Sequence, residues 1–202
     1  MTGWTVHEGL AVALPMDNVD TDQLIPARFM SAPRAAGYGA FLLHDLRGPD
    51  CPLDAPAARG ATVLVAGRNF GCGSSREAAV YALVDAGFRA VIAPSFGDIF
   101  AANAVNNGLL PARAETAGLM ALAPCPARID LAAGRIELGG RAVAFDLDPV
   151  WRAKLINGWD DIDLTASHAA EIEAHAARRR KAAPWLWDTM QRGAAPSSGR
   201  DR

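Results

Sequence analysis

The sequence predicts an α/β fold, with a mixed, partly parallel sheet flanked by helices and further helices toward the C-terminus. Three observations carry this expectation. Two continuous apolar runs with β-branched residues, Ala61-Thr62-Val63-Leu64-Val65-Ala66 and Arg89-Ala90-Val91-Ile92-Ala93-Pro94, have the pattern of strands buried on both faces. Each is followed by a helical stretch, and strand–helix–strand–helix order calls for parallel pairing through right-handed crossovers. Residues 127–146 instead alternate polar and apolar around glycines, the hairpin pattern of short antiparallel strands.

The elements follow in order. Gly9 to Leu14 is a short buried strand, and it runs into Pro15-Met16-Asp17-Asn18-Val19-Asp20-Thr21-Asp22, dense in turn formers and carboxylates. Residues 31–60 are rich in glycine and proline and predict mostly loop, with one short helix near Ala40–Asp45. After the strand at 61–66, the segment Gly67–Gly73 breaks the chain and a helix is expected from Ser75 to Asp85. It carries no charge between Ala78 and Val84, so most of its surface should be buried, and Gly87 ends it. A second helix is expected from Gly97 to Val105, ending at Asn106-Asn107-Gly108, with Leu109-Leu110-Pro111 starting another strand. Beyond Asp148-Pro149 two helices are expected, the later one from near Ser167. It places Arg178-Arg179-Arg180-Lys181 in its last turns, where basic residues offset the helix dipole. One domain is expected over residues 1–190, and the small, polar residues 191–202 are expected to be disordered.

Bulk properties exclude several function classes. The chain of 202 residues is half apolar and 21% charged, ordinary for a globular protein with a sizeable core. A net charge of −2 offers no basic field, and the one dense basic run is the short one at Arg178–Lys181, which argues against nucleic acid as a partner. No apolar run approaches the roughly 20 residues of a membrane span. The start, Met1-Thr2-Gly3-Trp4, lacks the basic-then-apolar pattern of a secretory signal. Cys51, Cys72 and Cys125 are three widely spaced thiols, a poor disulfide framework that fits a reducing cytoplasm. Without a C-x-x-C pair they are also a poor iron–sulfur ligand set, so any cluster chemistry must come from elsewhere.

The segment Gly71-Cys72-Gly73-Ser74-Ser75-Arg76-Glu77 joins a buried strand to a buried helix. A helix N-terminus presents unpaired N–H groups and a partial positive charge, which favour an anion. Glycines let the backbone approach a ligand, and Arg76 can clamp a carboxylate with two parallel hydrogen bonds. Ser74-x-x-Glu77 also fits a capping box, which accounts for one serine and the glutamate. It leaves two glycines, a second serine and Arg76 in the same turn without a role, so cap and anion site stand side by side. The spacing matches neither a P-loop, nor a dinucleotide fingerprint, nor a G-x-S-x-G elbow. Cys72 is either a nucleophile lacking an evident histidine or a buried filler.

Asn69-Phe70-Gly71-Cys72-Gly73-Ser74-Ser75-Arg76-Glu77 resembles the active-site loop of the swivelling domain of the aconitase superfamily, in the small-subunit form found in isopropylmalate dehydratases. Three further stretches agree in order and spacing. They are Asn18–Phe29, then Ala93–Phe100 with Asn106–Pro111, and Asn157–Thr165, so that the resemblance spans about residues 4–190. It implies a single swivelling β/β/α domain that closes over a separate large subunit carrying a 4Fe-4S cluster. It also implies a hydro-lyase reaction in leucine synthesis, interconverting 2- and 3-isopropylmalate by loss and return of water. By position, Ser74 is the implied base that takes the proton from carbon, and Ser75, Arg76 and Gly73 bind the substrate carboxylate. Thr21 and Asp22 face the same cavity, with no metal held by this chain.

Two departures stand out. Many members carry a polar residue, often histidine, where this chain has Ala78, and bulkier or more polar residues where it has Ala102, Ala104 and Val105. Residues 27–47, with Arg34, Tyr38, Phe41 and Arg47, are expected to choose the substrate's side group, although such aromatics are also ordinary core material. Related hydro-lyases for citraconate, 2-methylmalate or homoaconitate remain open, as does a carboxylate-binding module without catalysis.

Overall fold

The computed structural model describes residues 2–187. The expected disordered tail from Gln191 lies outside the described residues. The chain divides into two compact units, Met1–Asp161 and Ile162–Arg202.

The first unit is built on one seven-stranded sheet. Its strands are β1 (Val6–Leu14), β2 (Ala61–Ala66), β3 (Ala90–Ala93), β4 (Leu110–Arg113), β5 (Cys125–Asp130), β6 (Arg135–Leu138) and β7 (Arg141–Ala144), in the order β4-β3-β2-β1-β5-β6-β7. The four strands from β1 to β4 pair in parallel, and β5, β6 and β7 continue from β1 in antiparallel pairing. The expected mixed sheet is therefore present, and β1 is its seam. β1 begins at Val6 rather than Gly9, because its first residues pair with β5, Val6 opposite Asp130 and Glu8 opposite Arg128. That end is half exposed and polar, so an apolar run could not mark it.

The parallel half is buried on both faces, as its unbroken apolar strands require. Val12, Leu64 and Val91 belong to one core cluster, while their neighbours Ala11, Val63, Val65 and Ile92 belong to another. The first cluster takes in Leu24, Ala79, Leu83, Phe100 and Ala104, and the second takes in Leu119, Ile129, Ile136 and Leu155. The antiparallel strands alternate buried and exposed residues, as in Ile129 and Ile136 against Arg128 and Glu137.

Helices of this unit are α1 (Thr21–Leu24), α2 (Glu77–Asp85), α3 (Asp98–Asn106), α4 (Ala117–Met120) and α5 (Pro149–Asn157). The single short helix expected at residues 40–45 is two 3-10 turns, Gly39–Phe41 and His44–Leu46, within a series of six such turns from Ala27 to Ala58. Leu43 between them has φ 52, a left-handed conformation that an α-helix cannot carry through. α2 ends as expected, with Gly87 at φ 97.

Among the described residues beyond Asp148 there are three α-helices rather than two. Gly158, at φ 72, ends α5, and α6 (Asp161–Ser167) precedes α7 (Ala169–Ala182). In the second unit, of which residues 162–187 are described, α7 buries no residue and carries Arg179, Arg180 and Lys181 in its last turn. No described helix is long and apolar enough to cross a membrane.

One polar cluster ties the end of α3 to α5. Lys154, with its side chain only 4% exposed, donates to Asp161 (2.5 Å) and to Asn106, and Asn106 donates to Asp161 (3.0 Å). These bonds, Lys154 foremost, hold the Asp161 carboxyl below its ordinary pKa. A lowered carboxylate pKa adds stability that is present above the unfolded value and lost as the pH falls through the folded one. Asp161 is largely exposed, so its contribution is small. Asp161→Asn should lower stability by up to about 1 kcal/mol at pH 7. The gap from the parent should close below about pH 4, as read from urea midpoints at both pH values.

Candidate active site

Three loops leave the C-terminal ends of adjacent parallel strands and meet, residues 15–20 after β1, 67–76 after β2 and 94–97 after β3. In open α/β sheets this edge is where ligands bind. The backbone stitches the three together. Gly71 N–H donates to the Val19 carbonyl (2.7 Å), Thr21 N–H to Cys72 (3.0 Å), Phe70 N–H to Ser95 (3.0 Å) and Gly97 N–H to Phe70 (2.9 Å). Asn69 adds two bonds, from its backbone N–H to Ser95 Oγ (2.8 Å) and from its Nδ2 to Asn18 Oδ1 (2.9 Å). Both asparagines are left-handed, at φ 56 and 57, a conformation asparagine tolerates better than most residues.

Two glycines permit the close approach. Gly71 has φ 72, and a Cβ there would run into the ring of Phe100. Gly73 has φ 87 and more room, since a Cβ would meet Asp20 at 3.4 Å. Beneath them Phe70, Phe96 and Phe100 form a buried aromatic floor, with ring centroids 5.4–6.3 Å apart.

On this platform the predicted residues take distinct places. Ser74 and Ser75 are exposed, and Arg76 is the residue that precedes α2. Thr21 is buried, and its Oγ1 donates to the Ser74 carbonyl (2.8 Å), so Thr21 fixes the serine's backbone. Asp22 forms an ion pair with Arg76, whose side chain is 20% exposed. Thr21, Gly73, Ser74 and Arg76 line one side of an open cleft of about 280 Å³, and residues 97–100 line the other. Ser75 and Asp22 are outside that lining, so Asp22 reaches the cleft only through Arg76.

The capping box proposed for Ser74 and Glu77 does not form. α2 begins at Glu77 and not Ser75, because the chain runs extended through Arg76 (φ −125, ψ 103), and no side chain caps the helix. Its first amides are therefore left without a side-chain acceptor, which suits an anion. A capping box is present one loop away, where Asp20 Oδ1 accepts from Gln23 N–H (2.7 Å) and Gln23 Oε1 accepts from Asp20 N–H (2.9 Å). Glu77 accepts from Asn107 Nδ2 (2.9 Å), joining α2 to the end of α3. Burial first, and then Glu77, push the Tyr81 phenol above its ordinary pKa.

Cys72 is half buried and donates to the Asn18 carbonyl (3.5 Å), a packing contact within the loops. Ala78 is buried in the core cluster of α2, where a polar side chain would meet apolar neighbours. The aromatics of residues 27–47 pack on each other. Phe29 stacks on Phe41 at 4.5 Å, Tyr38 is 7% exposed, and none of them lines the cleft. Arg34 pairs with Asp85 at the end of α2 (2.6 Å) and lies over the Tyr81 ring (4.3 Å), holding this segment to the helix. The sequence assigned no site role to residues 97–100, although they supply four of the ten residues that line the cleft. Two signals were available, the family-like stretch Ala93–Phe100 and the glycine–acid pair Gly97-Asp98 opening a helix after a strand.

The sheet and the Gly-Cys-Gly-Ser-Ser-Arg loop at its C-terminal edge define an aconitase-type domain, and the family model of the aconitase C-terminal domain matches residues 1–117. The 3-isopropylmalate dehydratase small subunit of Rhodospirillum centenum is 45% identical over 92% of this chain and 98% of that protein. The small subunit of the same name from Shouchella clausii is 44% identical over 86% and 95%. A crystal structure of 3-isopropylmalate dehydratase from Methanocaldococcus jannaschii superposes with a TM-score of 0.68 at 28% identity, over 84% of this chain and 99% of that one. The chain belongs to the 3-isopropylmalate dehydratase small-subunit family, within the aconitase superfamily.

The two glycines separate backbone strain from steric fit. Gly71→Ala should lose about 2 kcal/mol or more, because a left-handed alanine is strained and its Cβ meets Phe100. Gly73→Ala should lose only about 1 kcal/mol, the conformational part alone. Chemical denaturation of the two variants checks the order.

Proposed function

We propose that this chain is the small subunit of a 3-isopropylmalate dehydratase, interconverting 2- and 3-isopropylmalate by dehydration and rehydration in leucine biosynthesis. The observation that carries the reading is the pairing of an exposed serine with a held guanidinium, Ser74 and Arg76, in one cleft at the C-terminal edge of the sheet. The names of its relatives support the substrate and the division into subunits.

Arg76 is the carboxylate clamp. Its guanidinium is planar and always charged, so it binds a carboxylate in a fixed orientation. Asp22 engages one of its nitrogens and keeps the group aimed while other donors remain. Ser75, exposed but outside the cleft lining, and the uncapped first amides of α2 are the further donors in this reading. One guanidinium suits one carboxylate, so the second carboxylate of a dicarboxylic acid falls to the large subunit.

Ser74 is the base. As an alkoxide its oxygen takes the proton from the carbon next to the one bearing the hydroxyl, the C–H pair becomes the new double bond, and hydroxide leaves from the neighbouring carbon. A serine alkoxide needs stabilisation, which the helix N-terminus and Arg76 supply once water is excluded. Thr21 acts by holding the Ser74 carbonyl, and Gly73 by giving the loop its turn.

The 4Fe-4S cluster in this reading belongs to the large subunit. This chain's residues do not fit one. Cys51 is buried, and no three His, Cys, Asp or Glu side chains converge among the described residues. The chain alone should accordingly be inactive, and the complex should work in the cytoplasm.

In a complex reconstituted with the large subunit, Ser74→Ala should reduce kcat about 100- to 10,000-fold, as loss of a catalytic base does, while a competitive dicarboxylate still binds with unchanged affinity. Near-normal turnover by that variant would falsify the assignment. Arg76→Lys keeps the charge but loses the planar fork, and should raise KM about tenfold or more. Steady-state kinetics on the same complex reads both.

A further inference from the structure

We propose that Ile99 determines the side-group specificity of the cleft, its alkyl surface being the wall against which the branched group of the substrate packs. The inference rests on the functional reading above. It starts from the chemistry of the lining. On the Ser74 side the cleft presents glycine backbone, hydroxyls, one thiol and a guanidinium. On the α3 side it presents Gly97, Asp98, Ile99 and Phe100. Phe100 is 3% exposed and belongs to the floor, so its ring is turned into the core. Ile99 is 55% exposed. It is the one bulky apolar side chain in the lining that faces out of the core rather than into it.

An isoleucine left so exposed in the first turn of a helix does little for the folding of this chain. Its neighbour Asp98 suits that position by complementing the helix dipole, whereas Ile99 has no such local reason. Electrostatics give the substrate one orientation. A carboxylate is drawn to Arg76 and repelled by the exposed carboxylate of Asp98. The charged end of a hydroxy acid therefore turns to the α2 side, which leaves the alkyl group for the α3 side and Ile99. The aromatics of residues 27–47 do not compete for this role in the chain, since Phe29, Phe41 and Tyr38 pack on each other and on the core.

The test is a specificity ratio in the complex with the cluster-bearing large subunit. The kcat/KM values are measured for isopropylmalate and for the homologous hydroxy acid that carries a methyl group in place of isopropyl. Alanine is a good helix former and the site is exposed, so Ile99→Ala keeps the fold. It should lower kcat/KM about tenfold for isopropylmalate and less than about threefold for the methyl homologue. Ile99→Val should restore most of the parent ratio, because it keeps a β-branched wall. Equal losses for both acids would mean that Ile99 serves the assembly instead, and unchanged kcat/KM values for both would mean that it touches no side group. Either result overturns the inference while the parent complex remains active. A parent complex inert toward both acids would instead overturn the functional reading, and the inference with it.

Discussion

A loop without regular structure of its own carries the proposed base and carboxylate clamp, and the close approach of Gly71 to Phe100 is the constraint on which its shape depends. Only a residue without a Cβ fits against that ring in a left-handed conformation. The approach lets Gly71 reach the Val19 carbonyl and sets Phe70 against Ser95 and Gly97 on the other side. Three loops thereby become one body, although each separately would be mobile surface chain.

The sheet supplies the frame for that body. Parallel strands send their C-terminal ends the same way, so the loops after β1, β2 and β3 emerge side by side. Burial on both faces makes this half of the sheet stiff, and the aromatic floor of Phe70, Phe96 and Phe100 carries the stiffness into the loops. The antiparallel strands extend the sheet from β1 without adding to the site. The proposed site thus sits at one corner, in a cleft that is open on one side.

Polar groups near the site divide into those that hold and those that are left to act. The carboxylates of residues 17–22 are mostly holders: Asp17 accepts from the Arg68 backbone (3.0 Å), Asp20 caps α1, and Asp22 grips Arg76. Thr21 holds Ser74 through its carbonyl and leaves the serine's own side chain exposed. Such a shell fixes the geometry of a site before the ligand arrives, which is what transition-state stabilisation needs.

Much of this was legible in the amino-acid order. The buried strands read at 61–66 and 89–94, the following helices, the glycine turns of 127–146 and the loop at 71–76 are local patterns, set by side-chain burial and backbone freedom within a few residues. The tertiary structure decided the rest. The extension of β1 to Val6 needed β5, more than a hundred residues away, and the breaking of the 40–45 segment needed a left-handed Leu43. Ser74 fits a helix cap by sequence alone, whereas the folded chain runs extended through Arg76 and Thr21, 53 residues earlier, holds the Ser74 carbonyl. The far wall at Ile99 was silent for the same reason. A cleft is made by segments distant in sequence, and an exposed isoleucine acquires meaning only from what stands opposite it.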